Sequence, residues 1–301
     1  MERVTALGLN SSILRSNQKT LGRLATYQEQ LSTTKRINRV SDDPAGARQA
    51  MHLRVDSLAL GKYQDNVEKA SSFLDAADNS LSEMGTVLDS AKGFAVQGAN
   101  GSQDAASRTS LAASVDALIS RMVDLGNTVH DGRYIFAGTA TTQTTPPFAR
   151  SAANDAVDYS GTLDSFDVAI GPSSSVAVNQ DGHRLFQGEG GPDIFGVLID
   201  LRDALKNNDP TTVNKLIAQV DGASVHVNAL QGDLGARQQR LDLARNQLEL
   251  TRTQLDGLVA DIEDADLPQV MSTMNLTQVA LQAGLQTAGK VMQTTLVDFL
   301  R

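Results

Sequence analysis

The sequence predicts a mainly α protein: an elongated antiparallel rod of long, coiled-coil-like helices with a small β-rich inserted domain and amphipathic terminal helices. Three observations lead there. Apolar residues recur at alternating three- and four-residue spacings over most of the 301 residues, the period of a helix seam. Aromatic residues amount to 4% with no Trp, so groups that fill a thick globular core are scarce and those that fill narrow helix-to-helix seams are plentiful. Residues 131–196 alone leave the helical period, and they hold four of the seven prolines.

At the N-terminus, Leu7, Leu14 and Leu21 recur every seven residues, with Leu24 and Leu31 offset from that row and polar Asn10 and Asn17 set into the stripe. A lone helix of this kind is marginal in water, so the segment is expected to be loose until something covers it. The stretch KRINRVSDDPAGAR, residues 35–48, then interrupts the helical pattern through Arg36, Ile37, Asn38, Asp42, Asp43 and Pro44. Asp42 or Asp43 can accept hydrogen bonds from the free N–H groups of a new first turn. Pro44 suits the first helical position and pushes its predecessor out of helical conformation. Local physics reads the break as a helix restart.

The restarted helix carries a heptad seam, Val67, Ala70, Leu74, Ala77, Leu81, Met84, Leu88, Ala91 and Ala95. After a polar connection, Leu111, Val115, Leu118, Met122, Leu125 and Val129 mark a second helix expected to pack on the first. Residues 131–196 show strand alternation at Phe166, Val168 and Ile170 and again at Val176 and Val178, with Asp181-Gly182 as the turn signal between such runs. Helix returns near Phe195, and strict spacing runs from Leu216 through Val220, Leu234, Leu241 and Leu248 to Leu258 and Ile262. So long a seam needs both upstream helices, laid antiparallel, as partners. Beyond Pro268 a last stripe follows: Val270, Met274, Thr277, Leu281, Leu285, Ala288, Met292, Leu296 and Phe299, with Leu300 beside it. The domains expected are terminal segments 1–40 and 266–301, a helical rod 41–130 and 197–265, and an outer β-rich piece 131–196. The terminal stripes serve either as caps on the bundle or as an assembly interface completed by neighbouring subunits.

The net charge of −9 makes the chain a poor partner for nucleic acid. It is uneven: residues 1–40 hold 7 Lys+Arg against 2 Asp+Glu, and residues 261–301 hold 2 against 5, so the two ends are complementary. There is no cysteine, and no apolar run suits a signal peptide or a membrane span. His52, His130, His183 and His226 are scattered without metal-type spacing and read as solvated surface. GPSSS after Ile170 and GEGG at 188–191 read as loops, lacking the context of a nucleophile elbow or a phosphate loop. Asp261, Glu263, Asp264 and Asp266 have the composition of a cation site, but a solvated helix end is the simpler reading. Neither a cofactor nor a catalytic constellation is expected.

The stretch QLSTTKRINRVSDDPAGARQAMHLR, residues 30–54, resembles the signature of the flagellin superfamily at the junction between its inner terminal helix and its rod. Thr34 stands where Gly is common, and Val40 where Pro often precedes the Ser-Asp-Asp. Three further segments resemble the hook–filament junction branch: GRYIFAGTATTQTTPPF at 132–148, VAVNQDGHRLFQG with IFGVLIDLRDAL within 176–205, and LQAGLQTAGKVMQTTLVDFL at 281–300. The resemblance implies a structural adaptor of the bacterial flagellum, a ring of subunits joining the first hook-associated protein layer to the flagellin filament. Terminal segments mobile in the monomer would become helices lining the inner tube. Leu7, Leu14, Leu21, Leu24 and Leu31 would then pack with Leu281, Leu285, Met292, Leu296, Phe299 and Leu300 of the same and neighbouring subunits. Export would use the flagellar type III apparatus without a cleaved signal, with an export chaperone binding near residues 265–301. The break would separate a segment ordered on assembly from a rod folded beforehand. A short flagellin of the filament itself, or an intracellular helical scaffold, are the alternatives.

Overall fold

The computed structural model describes residues 6–153, 155–179, 182–186 and 192–299, with side chains described from residue 11 to residue 290 of these. Its helices are α1 (Ala6–Thr33), α2 (Pro44–Ala99), α3 (Ala105–Gly126), α4 (Gly182–Phe186), α5 (Ile194–Lys206), α6 (Pro210–Glu263) and α7 (Leu267–Phe299). Six short strands lie between α3 and α4: β1 (Val129–His130), β2 (Arg133–Tyr134), β3 (Phe148–Arg150), β4 (Val157–Tyr159), β5 (Asp167–Gly171) and β6 (Ser174–Ala177). The mainly α class with a small β-rich insertion is as the sequence predicts.

One device starts five of the helices. Asp43, Asp104, Asp193, Asp209 and Asp266 each accept a hydrogen bond from an N–H of the following turn, on Gly46, Ser107, Gly196, Thr212 and Gln269 respectively. Pro44 and Pro210 directly follow two of them, where a missing N–H costs nothing.

The chain divides into two compact units, residues 1–59 with 250–301 and residues 60–249. In the second, the α2 seam from Val67 to Ala95 is buried as predicted, each of its nine residues at most 2% exposed. It packs into one core with Leu111, Val115, Ile119 and Met122 of α3 and with Leu216, Val220, Ala223, Val227, Leu234, Leu241 and Leu248 of α6. Contacts Lys92–Asp221 at 2.6 Å, Gln231–Asp78 at 3.4 Å and Gln238–Ser71 at 2.5 Å set α2 and α6 antiparallel within this unit. Two details differ from the reading by period. Val129 is exposed and belongs to β1, because α3 has already ended at Gly126. The helix returning at residue 194 stops at Lys206 and restarts at Pro210, where Asn208 takes a φ of 56° and Asp209 caps the new turn.

Arg108 joins that restart to the α2–α3 connection. Its buried guanidinium donates to Gly98 O at 2.8 Å, Asn100 O at 2.9 Å and Asn208 Oδ1 at 2.5 Å. Nothing in the local pattern around Arg108 distinguishes it from a solvated helix residue, since its acceptors are the last turn of α2, the connection after it, and a side chain 100 residues away.

Among its described residues, the insertion holds three separate antiparallel two-stranded ribbons. β1 and β2 join through Asp131 and Gly132 at φ 52° and 73°, the two left-handed residues of a tight hairpin turn. This Asp-Gly pair therefore turns a hairpin. β5 and β6 turn at Pro172-Ser173, within GPSSS, and pair Val168 with Val176; Gly182 begins α4, and Asp181 lies outside the described residues. Seven of the chain's twelve Phe and Tyr residues fall in 131–196. Phe136, Phe148, Tyr159, Phe186 and Phe195 form one cluster, with ring centroids 4.7 to 6.2 Å apart in contacting pairs. The helix seams need few aromatics, and the insertion concentrates the rest where it joins the shared core.

Candidate functional site

The helix break is a built junction. α1 ends at Thr33, and Thr34 takes a φ of 60°. The next residues run against the gap between α6 and α7: Arg36 N–H donates to Glu263 O at 2.6 Å, Ile37 N–H to the same oxygen at 3.3 Å, and Ala265 N–H to Thr34 O at 2.9 Å. Lys35 pairs with Asp264 as an antiparallel bridge. Within the break, Asp42 Oδ2 accepts from the N–H groups of Asn38 at 3.1 Å and Arg39 at 2.8 Å, and Asn38 Nδ2 donates to Lys35 O at 3.1 Å. That division settles which aspartate caps α2. Asp42 closes the turn, and Asp43 caps, taking Gly46 N–H at 2.9 Å while Arg36 leans on its other oxygen at 3.4 Å. Ile37 is buried beneath this network.

Glu263 corrects the reading of the acidic stretch as a solvated helix end. It is 7% exposed, and its Oε2 accepts from Lys35 Nζ at 2.9 Å and Arg54 Nη2 at 2.5 Å. Asp266 is committed to capping α7, and among the described residues no group of acidic, His or Cys side chains is placed to hold a metal ion. The complementary end charges thus meet at the breaks. α7 itself carries no charged residue from Leu267 to Gly289.

α1 and α7 pack antiparallel, and their close approach is marked by Asn17 at Gly284. Asn17 is 9% exposed, and a Cβ at 284 would lie 2.3 Å from its Oδ1, so a side chain there would make the Asn17 amide shift. A polar side chain buried in a helix seam sets register at some cost in stability. The leucines of the N-terminal stripe divide between two faces. Leu24 and Leu31 are half-buried with Ile13, Thr20 and Tyr27, while Leu14 and Leu21 are exposed. On α7, Leu281 is buried but Leu285 is exposed, displaced from the inner face by Gly284. The side chains of Leu7, Met292, Leu296 and Phe299 lie outside the described residues, as does Leu300 entirely.

The exposed row is wider than the sequence stripe. In the unit formed by residues 1–59 and 250–301, Ile37, Ala50 and Leu281 are the apolar residues buried among those described. Met51, Val55, Leu58, Leu250, Leu258, Met271, Leu276 and Val279 stand exposed in the same unit beside Leu14, Leu21 and Leu285. Met51, Val55 and Leu58 follow i, i+4, i+7 spacing on α2, a signal that was available in the sequence but lay upstream of the regular seam.

The histidines differ from their surface reading. His52 is exposed, but His130 is half-buried, edge-on to Phe73 and 2.9 Å from Ser72 Oγ, and His183 packs on the Tyr159 ring.

Capping and bridging carboxylates make the stability of the chain acid-sensitive. Asp43, Asp104 and Asp209 are held below the usual carboxylate range, chiefly by the Gly46 N–H, by Ser107 and by Thr212. Asp116 is lowered by Arg150, 2.6 Å away, and then by Arg202. Each gives up its charge at a lower pH when folded than the ~3.9 of an unfolded aspartate. Its contribution is therefore complete above that value and disappears as pH falls through the folded pKa. Thermal unfolding temperature is expected to drop as pH falls below about 4. A chain with Asp104→Asn and Asp209→Asn, which still caps but cannot titrate there, is expected to show a shallower drop in the same melts.

The bacterial flagellin N-terminal helical region matches residues 4–141, and the bacterial flagellin C-terminal helical region matches residues 217–300. A flagellar filament 33 kDa core protein of Treponema phagedenis is 26% identical, over 92% of this chain and 93% of its own. Flagellar hook-associated protein 3 of Escherichia coli is 31% identical, over 53% of this chain and 49% of its own. Among solved structures, a putative flagellar hook-associated protein from Vibrio parahaemolyticus superimposes with a TM-score of 0.68 at 20% identity, covering 74% of this chain and all of that one. FlgL of Xanthomonas campestris does so with a TM-score of 0.60 at 18% identity, covering 68% and 98%. At these identities the structural likeness is one of fold.

Proposed function

The chain belongs to the bacterial flagellin family, whose members are structural proteins of the flagellum and not enzymes, and on that premise we propose that it is the adaptor at the hook–filament junction. Copies of the chain form a ring, seated on the first hook-associated layer and presenting flagellin with a surface to build on. The observation that carries the assembly reading is the unit of residues 1–59 and 250–301, which exposes rows of large apolar side chains and buries so few. Such a unit gains most of its apolar burial from neighbours, so its ordering is tied to assembly. Residues 1–40 and 266–301 act as the assembly segments, and the α-helical rod and the outer β-rich piece carry the ring's body and outward face. Residues near 265–301 are where an export chaperone binds before the subunit leaves through the flagellar export apparatus. The segments at 132–148, 176–205 and 281–300, by their resemblance to the junction branch, favour the adaptor.

A second reading, a subunit of the filament itself, is favoured by likeness to filament core proteins over nearly the whole chain. One experiment separates the two. The gene is deleted, and flagellin and the chain are followed by immunoblot in cell-attached and medium fractions. The adaptor reading expects abundant monomeric flagellin in the medium, bare hooks, and, in the parent strain, the chain as a minor component of flagella. Normal filaments on motile deletion cells, or the chain as the bulk subunit of parental filaments, would overturn it.

A further inference from the structure

Asn100-Gly101 is the single Asn-Gly step in the chain, and it lies in the exposed turn between α2 and α3. The fold does not require the glycine. Its φ is not left-handed, and nothing lies within 4 Å of where a Cβ at 101 would stand. What the glycine provides is a main-chain nitrogen with no side chain over it. Gln103 N–H closes the turn on Asn100 O at 3.1 Å, and among the described residues the Gly101 N–H meets no acceptor. The Asn100 amide is folded back toward that nitrogen: its Oδ1 accepts from the Ser102 N–H at 3.1 Å and the Ser102 hydroxyl at 3.0 Å. Two donors on one carbonyl oxygen stabilise the oxyanion that forms when a nucleophile adds to its carbon. Asn127 and Asn179, by contrast, use both ends of their amides as clasps on the backbone. Beside the turn, Arg108 lacks a counterion. Its guanidinium is buried, its acceptors Gly98 O, Asn100 O and Asn208 Oδ1 are all uncharged, and among the described residues no carboxylate bonds to it. A buried charge is ordinarily paired.

We propose that the folded chain modifies itself at Asn100, converting it to an isoaspartyl residue whose carboxylate is held by Arg108. The Gly101 nitrogen gives its proton to hydroxide and bonds to Asn100 Cγ. The Cγ–Nδ2 bond breaks, and the amide nitrogen takes a proton from water and leaves as ammonia. A succinimide remains, and water opens it at the main-chain carbonyl carbon. The chain then runs through the former side chain, and the free carboxylate stands where the Asn100 carbonyl stood. In total a water is consumed and an ammonia released, with no oxidation or reduction. Arg108 Nη2 already donates to that carbonyl oxygen at 2.9 Å. It therefore polarises the carbonyl on which water must act, and it keeps the resulting carboxylate as a charge-assisted partner. The reaction supplies the counterion that the buried guanidinium lacks.

The test is incubation of the full chain at mildly alkaline pH, folded in buffer and, in parallel, unfolded in guanidinium chloride. At intervals the tryptic peptide of residues 93–108 is read by mass spectrometry for the amide-to-acid change, and isoaspartate is counted with an isoaspartyl methyltransferase. No assembly is involved, so the outcome is independent of whether the chain is an adaptor or a filament subunit. Asn100 is expected to convert ahead of every other asparagine, and about fivefold faster in the folded chain than in the unfolded one. The isoaspartyl share of the product should be larger in the folded chain. Ser102→Ala, which removes one donor at an exposed position, is expected to slow the folded chain about fivefold and to leave the unfolded chain unchanged. Gly101→Ala should keep the melting temperature and slow conversion in both states. The fully converted chain should melt no lower than the unconverted one. Slower conversion when folded than when unfolded, an equal isoaspartyl share in the two, or a lower melting temperature after conversion would overturn the proposal.

Discussion

Replacing Leu14 and Leu21 together by glutamate is expected to abolish retention of the chain on the flagellum while leaving residues 60–249 folded. Both leucines are exposed on α1, one heptad apart, on a flank of the helix distinct from the half-buried row of Leu24 and Leu31 that accompanies α7. They contribute little to the free chain, so their removal should not shift its main thermal transition. In an assembled ring each buried leucine is worth about 1.5–3 kcal/mol, and a carboxylate in its place adds a desolvation cost. Two such changes amount to at least about 3 kcal/mol per subunit contact, a loss of more than about a hundredfold in affinity. A deletion strain complemented with the double variant is expected to release it into the medium and to stay non-motile in soft agar. Leu163→Glu, at an exposed leucine of residues 60–249, serves as the control and should restore motility. Retention of the double variant on motile cells would remove this row from the assembly surface.

Phe148→Ala is expected to cost about 3–5 kcal/mol of stability, read as a lowered urea midpoint for the unfolding of residues 60–249. The ring is 1% exposed and central to the insertion, 4.7 Å from Phe186, 4.9 Å from Tyr159 and 5.7 Å from Phe195 between centroids. Main-chain approaches leave no room for the cavity to close from the backbone side: a Cβ at either Gly126 or Gly182 would already lie 2.8 Å from a ring atom. The backbone of Phe148 is clasped by Asn127, whose amide accepts from its N–H at 2.9 Å and donates to its carbonyl at 2.8 Å, and the substitution leaves that clasp intact. The loss therefore measures ring packing. Phe166→Ala, at an exposed ring, should cost less than about 1 kcal/mol. Equal effects of the two substitutions would mean that the cluster does not hold the insertion together.

Much of the fold was legible because helix seams are written in the chain at short range. A residue three or four positions on lies on the same face whatever else the chain does. Val67 to Ala95 could thus be assigned to a buried seam and the class to helix. The restart at Pro44 was legible for the same reason, as a cap and its first turn lie within four residues. An Asp-Gly pair reports only that a turn is permitted. Which pair makes one depends on the strands that flank it, and those flank Asp131-Gly132. The period also ran silently through Asn207–Asp209, since an interruption of three residues barely disturbs the spacing on either side.

By itself, then, the sequence determined the helices, their caps, the buried seam and the terminal stripes, all of them consequences of neighbours within about two turns of one another. Tertiary structure alone decided that the two breaks lie side by side, that Glu263 is a buried anchor for Lys35 and Arg54, and that Leu14 and Leu21 face away while Leu24 and Leu31 turn inward. It also decided that the Asn17 amide lies against Gly284. Each of these joins residues 200 or more apart in the chain, or depends on which of two apolar rows a partner helix selects. Periodicity names the rows on one helix, and only the packing of a second helix against it picks the row that is covered.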